Sequence, residues 1–263
     1  MEYNDEQHAH FMEYGYVRLG KVLDGVRLAE LQRRIDAIML GDFSYPEMDF
    51  QLDGGDADYA KMPAVTPGHK GATLQYRKIM GLERDPVFLG YMQHSFFRQL
   101  TQCLIGEDVS IFRAMFMNKP ADRGTVLPWH QDVGVGWGVD SNPTATVWTA
   151  LDRATVATGC MQVVPGSHKH GVISERHFPS KEQLAECAPP GSEIDLEAEA
   201  GEAILLNNLM LHRSGGNSTG QSRRAFSIAY MDGASRSTRT GEGYPMIFGD
   251  GALVPALFSR PLL

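Results

Sequence analysis

The sequence has few cysteines, no cluster of basic residues and no long apolar segment, and each of these shortages excludes a class of protein. Its three cysteines, Cys103, Cys160 and Cys187, show no paired spacing. That is unlike a disulfide framework or a zinc site, and it indicates reduced thiols in the cytoplasm. No hydrophobic run approaches a membrane span, and the polar, acidic start of the chain predicts no signal peptide. We therefore expect a cytoplasmic protein with no membrane partner.

The charge balance argues against nucleic acid as a partner. There are 24 Lys and Arg against 32 Asp and Glu, which gives a formal net charge of −8. A nucleic-acid-binding domain usually carries a basic patch or stripe, and none is visible here. The hydrophobic share of 43% is ordinary for a soluble globular protein. A length of 263 residues suits one large domain.

The first part of the chain is predicted to be mainly helical. Residues from about Asp5 to Gly41 form helices broken by a turn at Leu19-Gly20-Lys21, and helical character returns from Pro86 to Leu104. Asp24 is placed to cap a helix. One face of that helix is predicted to be apolar, and it comprises Leu28, Leu31, Ile35, Ile38 and Met39. Ser44 to Gly71, rich in Gly and Pro and without periodicity, is predicted to be either a flap beside a site or simply disordered.

Short strands separated by turns follow Gly106. They are predicted at Val109–Met117, Ala145–Leu151, Cys160–Val164, Ile194–Leu196, Glu202–Asn207, Leu209–His212 and Arg223–Met231. Strands behind a helical segment indicate a mainly β fold with flanking helices, built on a jelly roll or barrel. We expect a single domain over residues 1–263, with a helical N-terminal part to about 105, a core over about 106–235 and a C-terminal tail.

His130 and Asp132 form a candidate metal-binding pair. Two residues apart on an extended segment, their side chains point to the same side. A third ligand with open positions left over would make the facial triad of a non-haem Fe(II) oxygenase.

Four later histidines are candidates for the third ligand: His168, His170, His177 and His212. The first two lie in a turn, where histidines mostly satisfy backbone groups, and His177 stands in a polar loop. His212 closes the apolar strand predicted at Leu209–His212. That position favours His212, although a buried hydrogen-bonded histidine would also fit there.

Arg223 is a candidate anion-binding residue. Strand alternation places Arg223, Ala225 and Ser227 on one face and Arg224 on the other. Small neighbours leave room for an anion, and a guanidinium binds a carboxylate with two hydrogen bonds. A structural salt bridge is the alternative. Ser214, two residues after His212, is predicted to point the same way and to add a hydroxyl.

Taken together, these segments resemble the phytanoyl-CoA dioxygenase-like family of Fe(II)/2-oxoglutarate oxygenases. The resemblance covers most of the chain and is carried by Asn118-Lys119-Pro120, Trp129–Asp132, Trp148–Leu151, Gly159–Lys169 and His212–Asn217 followed by Arg223-Arg224. It implies a double-stranded β-helix, the cupin-like jelly roll.

The resemblance also implies roles for individual residues. His130, Asp132 and His212 would bind Fe(II), while Arg223 and Ser214 would hold the distal carboxylate of 2-oxoglutarate. Three further residues would lie near this co-substrate, and they are Trp148, Lys78 and Met115. The alternative for Lys78 is a lysine at the surface without a role in the site, and the alternative for Met115 is a methionine of the core.

The implied reaction uses O₂ and 2-oxoglutarate to hydroxylate an unactivated C–H bond, giving succinate and CO₂. Halogenating relatives have a small residue in place of the carboxylate ligand, so Asp132 favours hydroxylation. Desaturation, ring closure and epimerisation use the same site and stay open.

The substrate is expected to be a medium-sized metabolite, such as a natural-product intermediate. The segments Ser44–Gly71, Val133–Asn142 with Trp137, and Tyr244–Phe258 are predicted to shape its pocket. An acyl-CoA substrate is the alternative, which the acidic net charge makes less favourable. Two alternatives come from other classes: a cupin-like metalloenzyme and a ligand-binding jelly roll. We expect a monomer or a homodimer.

Overall fold

Five α-helices and thirteen β-strands are found in the described residues of the computed structural model, which are 1–55, 59–132, 135–175 and 177–255. The helices are α1 (Asp5–Tyr14), α2 (Gly25–Leu40), α3 (Pro86–Met92), α4 (Ser95–Leu104) and α5 (Lys181–Cys187). The strands are β1 (Tyr16–Lys21), β2 (Asp49–Leu52), β3 (Thr66–Pro67), β4 (Tyr76–Met80), β5 (Val109–Lys119), β6 (Leu127–His130), β7 (Ala145–Ala150), β8 (Met161–Val163), β9 (Ile194–Leu196), β10 (Glu202–Asn207), β11 (His212–Ser214), β12 (Arg223–Asp232) and β13 (Met246–Phe248).

The strands form two antiparallel sheets. The large sheet has the order β1-β10-β7-β12-β5-β4-β2-β3, with β13 pairing with β5, and the small sheet has the order β6-β11-β8-β9. This arrangement confirms the predicted mainly β fold with flanking helices. None of the helices in the described ranges is long and apolar enough to cross a membrane.

Helices cover one face of the large sheet. Asp24 caps α2 by accepting a hydrogen bond from the Arg27 backbone N–H at 2.8 Å, as predicted. The apolar face of α2 and the aromatic residues of α3 and α4 pack in one core with alternate residues of β12, namely Phe226, Ile228 and Tyr230. The helical layer therefore fixes which face of β12 points away from the helices.

The opposite face of the large sheet packs against the small sheet. Trp148 and Ile204 from the large sheet share a core with Met161, Val163 and Leu196 from the small one. Because alternate residues of a strand face opposite sides, the side chains between the sheets belong to a different set from those under the helices. The candidate site lies at the edge of this second core.

The turn predicted at residues 19–21 is wrong, because Tyr16–Lys21 is a strand. It pairs antiparallel with β10, from Tyr16 opposite Leu206 to Lys21 opposite Glu202. Gly20 has a φ of 77° where the register shifts. Glycine adopts this left-handed conformation readily, so the strand continues through a bulge that resembles a turn in sequence.

The strand predicted at Leu209–His212 is also wrong. Residues 208–210 form a turn, in which the Met210 N–H donates to the Asn207 carbonyl and the Asn207 side chain accepts from the Leu209 N–H. Met210 and Leu211 are apolar because they are buried in the core. His212 consequently begins a strand instead of ending one.

The segment Ser44–Gly71 is more regular than predicted. It contributes β2 and β3 to the large sheet, with Phe50 buried at 1% exposure, and only its residues 56–58 lie outside the described ranges. In all, the part predicted as helical supplies β1 to β4, and the predicted tail supplies β13. These strands were missed because none is longer than six residues, and β2 and β4 bury adjacent residues instead of alternating.

Candidate metal and co-substrate site

Three predicted metal ligands meet where the small sheet ends. His130 is the last residue of β6, and it lies directly opposite His212, the first residue of β11. Asp132 follows two residues after His130. His130 Nε2 lies 3.9 Å from Asp132 Oδ1, and His212 Nε2 lies 3.7 Å from Oδ2. One ligand atom from each residue lies within 4.8 Å of the others, so this set can hold a metal ion.

Backbone carbonyls orient both histidines. His130 Nδ1 lies 2.8 Å from the Pro128 carbonyl, and His212 Nδ1 lies 3.0 Å from the Met210 carbonyl. A carbonyl only accepts, so Nδ1 carries the proton and the Nε2 lone pair is left for a metal, the usual arrangement of histidine ligands. Burial, reinforced by the neighbouring His212, holds the pKa of His130 well below its usual value. The donor set therefore fits Fe(II).

Arg113 on β5 is the partner of Asp132. Its guanidinium lies 2.6 Å from Asp132 Oδ1. Burial alone would raise the pKa of Asp132, but the charge of Arg113, with smaller contributions in the same direction from His212 and His130, holds this pKa well below the usual range. The carboxylate is thus ionised and held in place, as a metal ligand requires.

The other end of the same pocket is cationic. Arg223 is 4% exposed, and its Nη2 donates to the Gly159 carbonyl at 2.8 Å. Among the described residues, its buried Nε has no hydrogen-bond partner. Trp148 is buried beside it, with the guanidinium carbon 5.8 Å from the ring centroid, and Ser214 lines the same pocket. An orphaned buried donor on a guanidinium fits a carboxylate ligand.

Arg224 points the opposite way, as alternation predicted. Its Nε and Nη2 donate to the two oxygens of Asp152 at 2.8 and 2.9 Å, and Nη1 donates to Asp36 on α2 at 2.6 Å. Arg224 therefore ties the sheet to the helical layer. The salt-bridge alternative considered for Arg223 describes Arg224 instead.

Lys78 and Met115 both line the pocket. Lys78 on β4 lies opposite Met117 of β5, and burial lowers its pKa to about 8. Met115 is 4% exposed. Lys78 is therefore not a freely solvated surface lysine.

The sequence predicted no role in the site for Tyr59, Arg77, Arg113 and Lys119, which also line the pocket. Alternation along β5 was a usable signal, because Arg113, Met115, Met117 and Lys119 are spaced by two and all line the pocket. His177, one of the candidate third metal ligands, also lines the pocket, but no such alternation predicted its position there. Its ring lies 5.0 Å from the ring of His130, and a loop brings it there.

Other predicted residues lie around the site. His168 Nε2 contacts the Met12 carbonyl at 3.1 Å, in keeping with a histidine that satisfies the backbone. Trp137 lies against Arg113, with the guanidinium carbon 4.8 Å from its ring centroid, and its ring stacks on Phe112. Within the predicted pocket-shaping segments, residues 56–58, 133, 134 and 256–258 lie outside the described ranges.

Gly159 carries the carbonyl that holds Arg223, and we expect Gly159→Ala to be destabilising. Its φ is 76°, and an added Cβ would lie 2.6 Å from the Gly215 carbonyl oxygen and 2.7 Å from that of Gly216. We expect a loss of at least about 2 kcal/mol in the free energy of unfolding, measured by urea denaturation. Gly220→Ala is the matched control, since nothing lies within 4 Å of its Cβ position. Equal stability of the two variants would contradict this account.

The geometry agrees with comparisons to known proteins. The family model "Phytanoyl-CoA dioxygenase (PhyH)" matches residues 11–225. A Caenorhabditis elegans protein described as a probable phytanoyl-CoA dioxygenase is 28% identical over 241 residues, which cover 86% of this chain and 75% of the relative. The peroxisomal phytanoyl-CoA dioxygenase of Rattus norvegicus is 22% identical over 236 residues, covering 86% and 67%.

Solved structures show the same fold. EctD from S. alaskensis with bound Fe superposes with a TM-score of 0.68 at 22% identity, covering 89% of this chain and 79% of EctD. The carbocyclase SnoK from nogalamycin biosynthesis superposes with a TM-score of 0.66 at 18% identity, covering 89% and 86%. Because the family model spans most of the sequence, the chain belongs to the phytanoyl-CoA dioxygenase family and is a 2-oxoglutarate-dependent, non-haem iron dioxygenase.

Proposed function

We propose that the enzyme hydroxylates an unactivated C–H bond of a medium-sized metabolite at an iron held by His130, Asp132 and His212. The observation that carries this proposal is one pocket with two complementary ends. One end presents two imidazole Nε2 atoms and a carboxylate within 4.8 Å of one another. The other end presents the buried guanidinium of Arg223, whose Nε is unpaired in the described part of the chain. A metal and a carboxylate-bearing co-substrate would satisfy both ends.

The protein's part at the metal end is to hold the ligands before the metal arrives. Hydrogen bonds to the Pro128 and Met210 carbonyls fix both imidazole rings, and Arg113 fixes the carboxylate of Asp132. Such outer contacts commonly contribute 10- to 100-fold to metal affinity or activity. We propose that Arg113 acts in this way.

At the other end, we propose that Arg223 and Ser214 bind the distal carboxylate of 2-oxoglutarate against Trp148. Lys78 and Met115 would line the same co-substrate. Iron with 2-oxoglutarate and O₂ supplies the oxidising chemistry, with succinate and CO₂ as the products. The chain has then to place one C–H bond at the metal and to keep water from the buried pocket.

Known neighbours support a small metabolite as the substrate. One EctD structure contains 2-oxoglutarate and 5-hydroxyectoine. SnoK is described as a carbocyclase from nogalamycin biosynthesis, and SnoN as an epimerase in complex with a nogalamycin compound. These three proteins share the fold, and each is named together with a small metabolite or with its biosynthesis. Hydroxylation remains our proposal because Asp132 supplies the third ligand, while ring closure and epimerisation are precedented on this fold.

An acyl-CoA substrate is the second candidate, and the pocket gives it one specific support. Asp132 is the one acidic residue among the described residues that line the pocket, whereas six are basic: Arg77, Lys78, Arg113, Lys119, Arg213 and Arg223. A basic pocket in a chain of net charge −8 favours an anionic ligand. Curated relatives named as phytanoyl-CoA dioxygenases point the same way.

The proposal is tested in two steps. Fe(II) and 2-oxoglutarate are first titrated together without oxygen, and a weak metal-to-ligand charge-transfer band is expected. Succinate release is then followed in a screen of natural-product intermediates alongside acyl-CoA thioesters and their free acids. Stimulation by thioesters alone would favour the second candidate. Absence of the band would argue against the metal and co-substrate assignments themselves.

Cellular location and assembly are also proposals. The structure leaves Cys103 exposed and Cys160 and Cys187 buried, all as free thiols. Free thiols support a reducing compartment, and we propose the cytoplasm. A monomer or homodimer would be resolved by sedimentation.

A further inference from the structure

Lys119 is the direct neighbour of Arg223 across two strands. It is the last residue of β5, and the antiparallel register places it opposite Arg223, the first residue of β12. Residues directly opposite each other on adjacent strands have Cβ atoms about 4.5–5.5 Å apart and project from the same face. Both line the pocket, and their exposures are 5% and 4%. The sheet therefore buries two cationic side chains next to each other.

The protein satisfies few of the donors on these two cations. Lys119 Nζ donates to the Thr125 carbonyl at 2.8 Å, and Arg223 Nη2 donates to the Gly159 carbonyl at 2.8 Å. Within the described ranges, neither forms a salt bridge with a carboxylate, and Arg223 Nε has no partner. Burial, followed by the charge of Arg223, holds the pKa of Lys119 well below its usual value.

Two buried like charges without a counterion oppose folding, since each is desolvated and they repel each other. Such a pair is understandable if an anion binds between them. Asp53 raises the pKa of Lys119, but by less than burial, Arg223 or Arg77 lowers it. A negatively charged group from a ligand would supply the counterion that none of the described residues provides.

We infer that Lys119 is a second cation of the co-substrate site and binds the distal carboxylate of 2-oxoglutarate together with Arg223. The inference rests on the proposed function, because it requires 2-oxoglutarate at the Arg223 end of the pocket. It assigns the guanidinium and the ammonium to one carboxylate. Each oxygen can accept more than one hydrogen bond, so both donors can be accommodated.

A structural role is the competing account. Lys119 Nζ holds the Thr125 carbonyl, and Gly124 packs against the Lys119 side chain closely enough that an added Cβ would lie 2.9 Å from Lys119 Cβ. A lysine that only organised residues 120–126 would influence the whole pocket. It would not distinguish a ligand with a distal carboxylate from one without.

The test compares two keto acids in the presence of Mn(II), a redox-inert substitute for Fe(II). 2-Oxoglutarate carries the distal carboxylate, and 2-oxopentanoate has the same chain without it. Calorimetry of Lys119→Met is expected to show 2-oxoglutarate weakened by about 10-fold or more. Affinity for 2-oxopentanoate is expected to stay within about twofold of the wild type. Lys119→Arg should retain most of the affinity for 2-oxoglutarate because it keeps the charge.

Two controls sharpen the result. Lys169→Met removes an exposed lysine that pairs with Glu13, and it should change neither affinity. In the double variant Lys119→Met/Arg223→Met, the loss for 2-oxoglutarate should differ from the sum of the single losses, since both residues bind one group. Additive losses would show that Lys119 and Arg223 do not bind the same carboxylate, and this would overturn the inference.

The remaining outcomes distinguish a failure of this inference from a failure of the proposed function. Equal weakening of both keto acids in Lys119→Met would assign Lys119 to the structure of the loop and overturn the inference. Unchanged binding of 2-oxoglutarate would do the same. If the wild-type protein with Mn(II) bound neither keto acid, the proposed function would fail first, and this inference with it. Thermal unfolding of each variant verifies that the fold is retained.

Discussion

His212→Ala is expected to abolish stoichiometric iron binding and substrate-dependent succinate formation while the fold is kept. In the proposed site the imidazole would contribute one of three ligands, and its Nε2 lies 3.7 Å from Asp132 Oδ2. Loss of a second-sphere contact alone costs about 10- to 100-fold in metal affinity, so loss of a ligand should cost more. Bound iron is measured by elemental analysis after desalting, and binding of Mn(II) by calorimetry.

The control for this prediction is His168→Ala. His168 lies in the turn that follows β8, and its Nε2 contacts the Met12 carbonyl. We expect its removal to leave metal affinity unchanged and to cost only part of a hydrogen bond's stability, about 0.5–1.5 kcal/mol. Wild-type metal content in His212→Ala, or loss of metal in His168→Ala, would show that the ligand set is wrongly assigned.

Much of this site was predictable because strand alternation and close spacing fix side-chain directions. His130 and Asp132 are two residues apart at the end of a strand, and the structure places both beside His212. Arg223 and Arg224 are adjacent in a long strand, so they had to face opposite layers. Such predictions rest on the alternation of side chains along one strand, which does not depend on how the rest of the chain is arranged.

Contacts between distant segments were not predictable in the same way. His177 reaches the ring of His130 from a loop, and β1 pairs with β10 across almost two hundred residues of sequence. Neither depends on a periodic pattern. The error at Leu209–His212 has a related cause, since apolar residues in a tight turn and in a strand both become buried. Burial favours apolar residues in either geometry, and the hydrogen bonds of Asn207 decide between them.

Arg113 shows a different limit. Its position on β5 was readable from the alternation, but its 2.6 Å contact with Asp132 joins two segments whose pairing is set by the fold. The contact also lies beside Trp137, whose ring is 4.8 Å from the guanidinium carbon. A residue that holds a metal ligand can therefore be located only after the sheets are assembled.

The second large effect is expected at the co-substrate end, where Arg223→Ala should raise the 2-oxoglutarate dissociation constant by about 30-fold or more. The guanidinium is buried, and its Nε has no partner within the described ranges. Removing one member of a desolvated, charge-assisted pair typically costs about 2–5 kcal/mol. Arg223→Lys should restore only part of the affinity, because an ammonium lacks the planar fork. Calorimetry with Mn(II) in place of Fe(II) measures both variants without turnover.

Arg224→Ala is the matched control, because it removes the neighbouring arginine from the other face of the same strand. Arg224 binds Asp152 with two hydrogen bonds and Asp36 with a third. Its loss should leave 2-oxoglutarate binding nearly unchanged but lower the free energy of unfolding by about 1–3 kcal/mol, since it leaves Asp152 half-buried without its partner. Weakened co-substrate binding in Arg224→Ala, with Arg223→Ala intact, would mean that the carboxylate binds outside the pocket. If Arg223→Ala weakens 2-oxoglutarate binding and Arg224→Ala does not, Arg223 binds the co-substrate and Arg224 joins the sheet to the helices. The two residues face opposite sides of β12, and this outcome is the one that their positions predict.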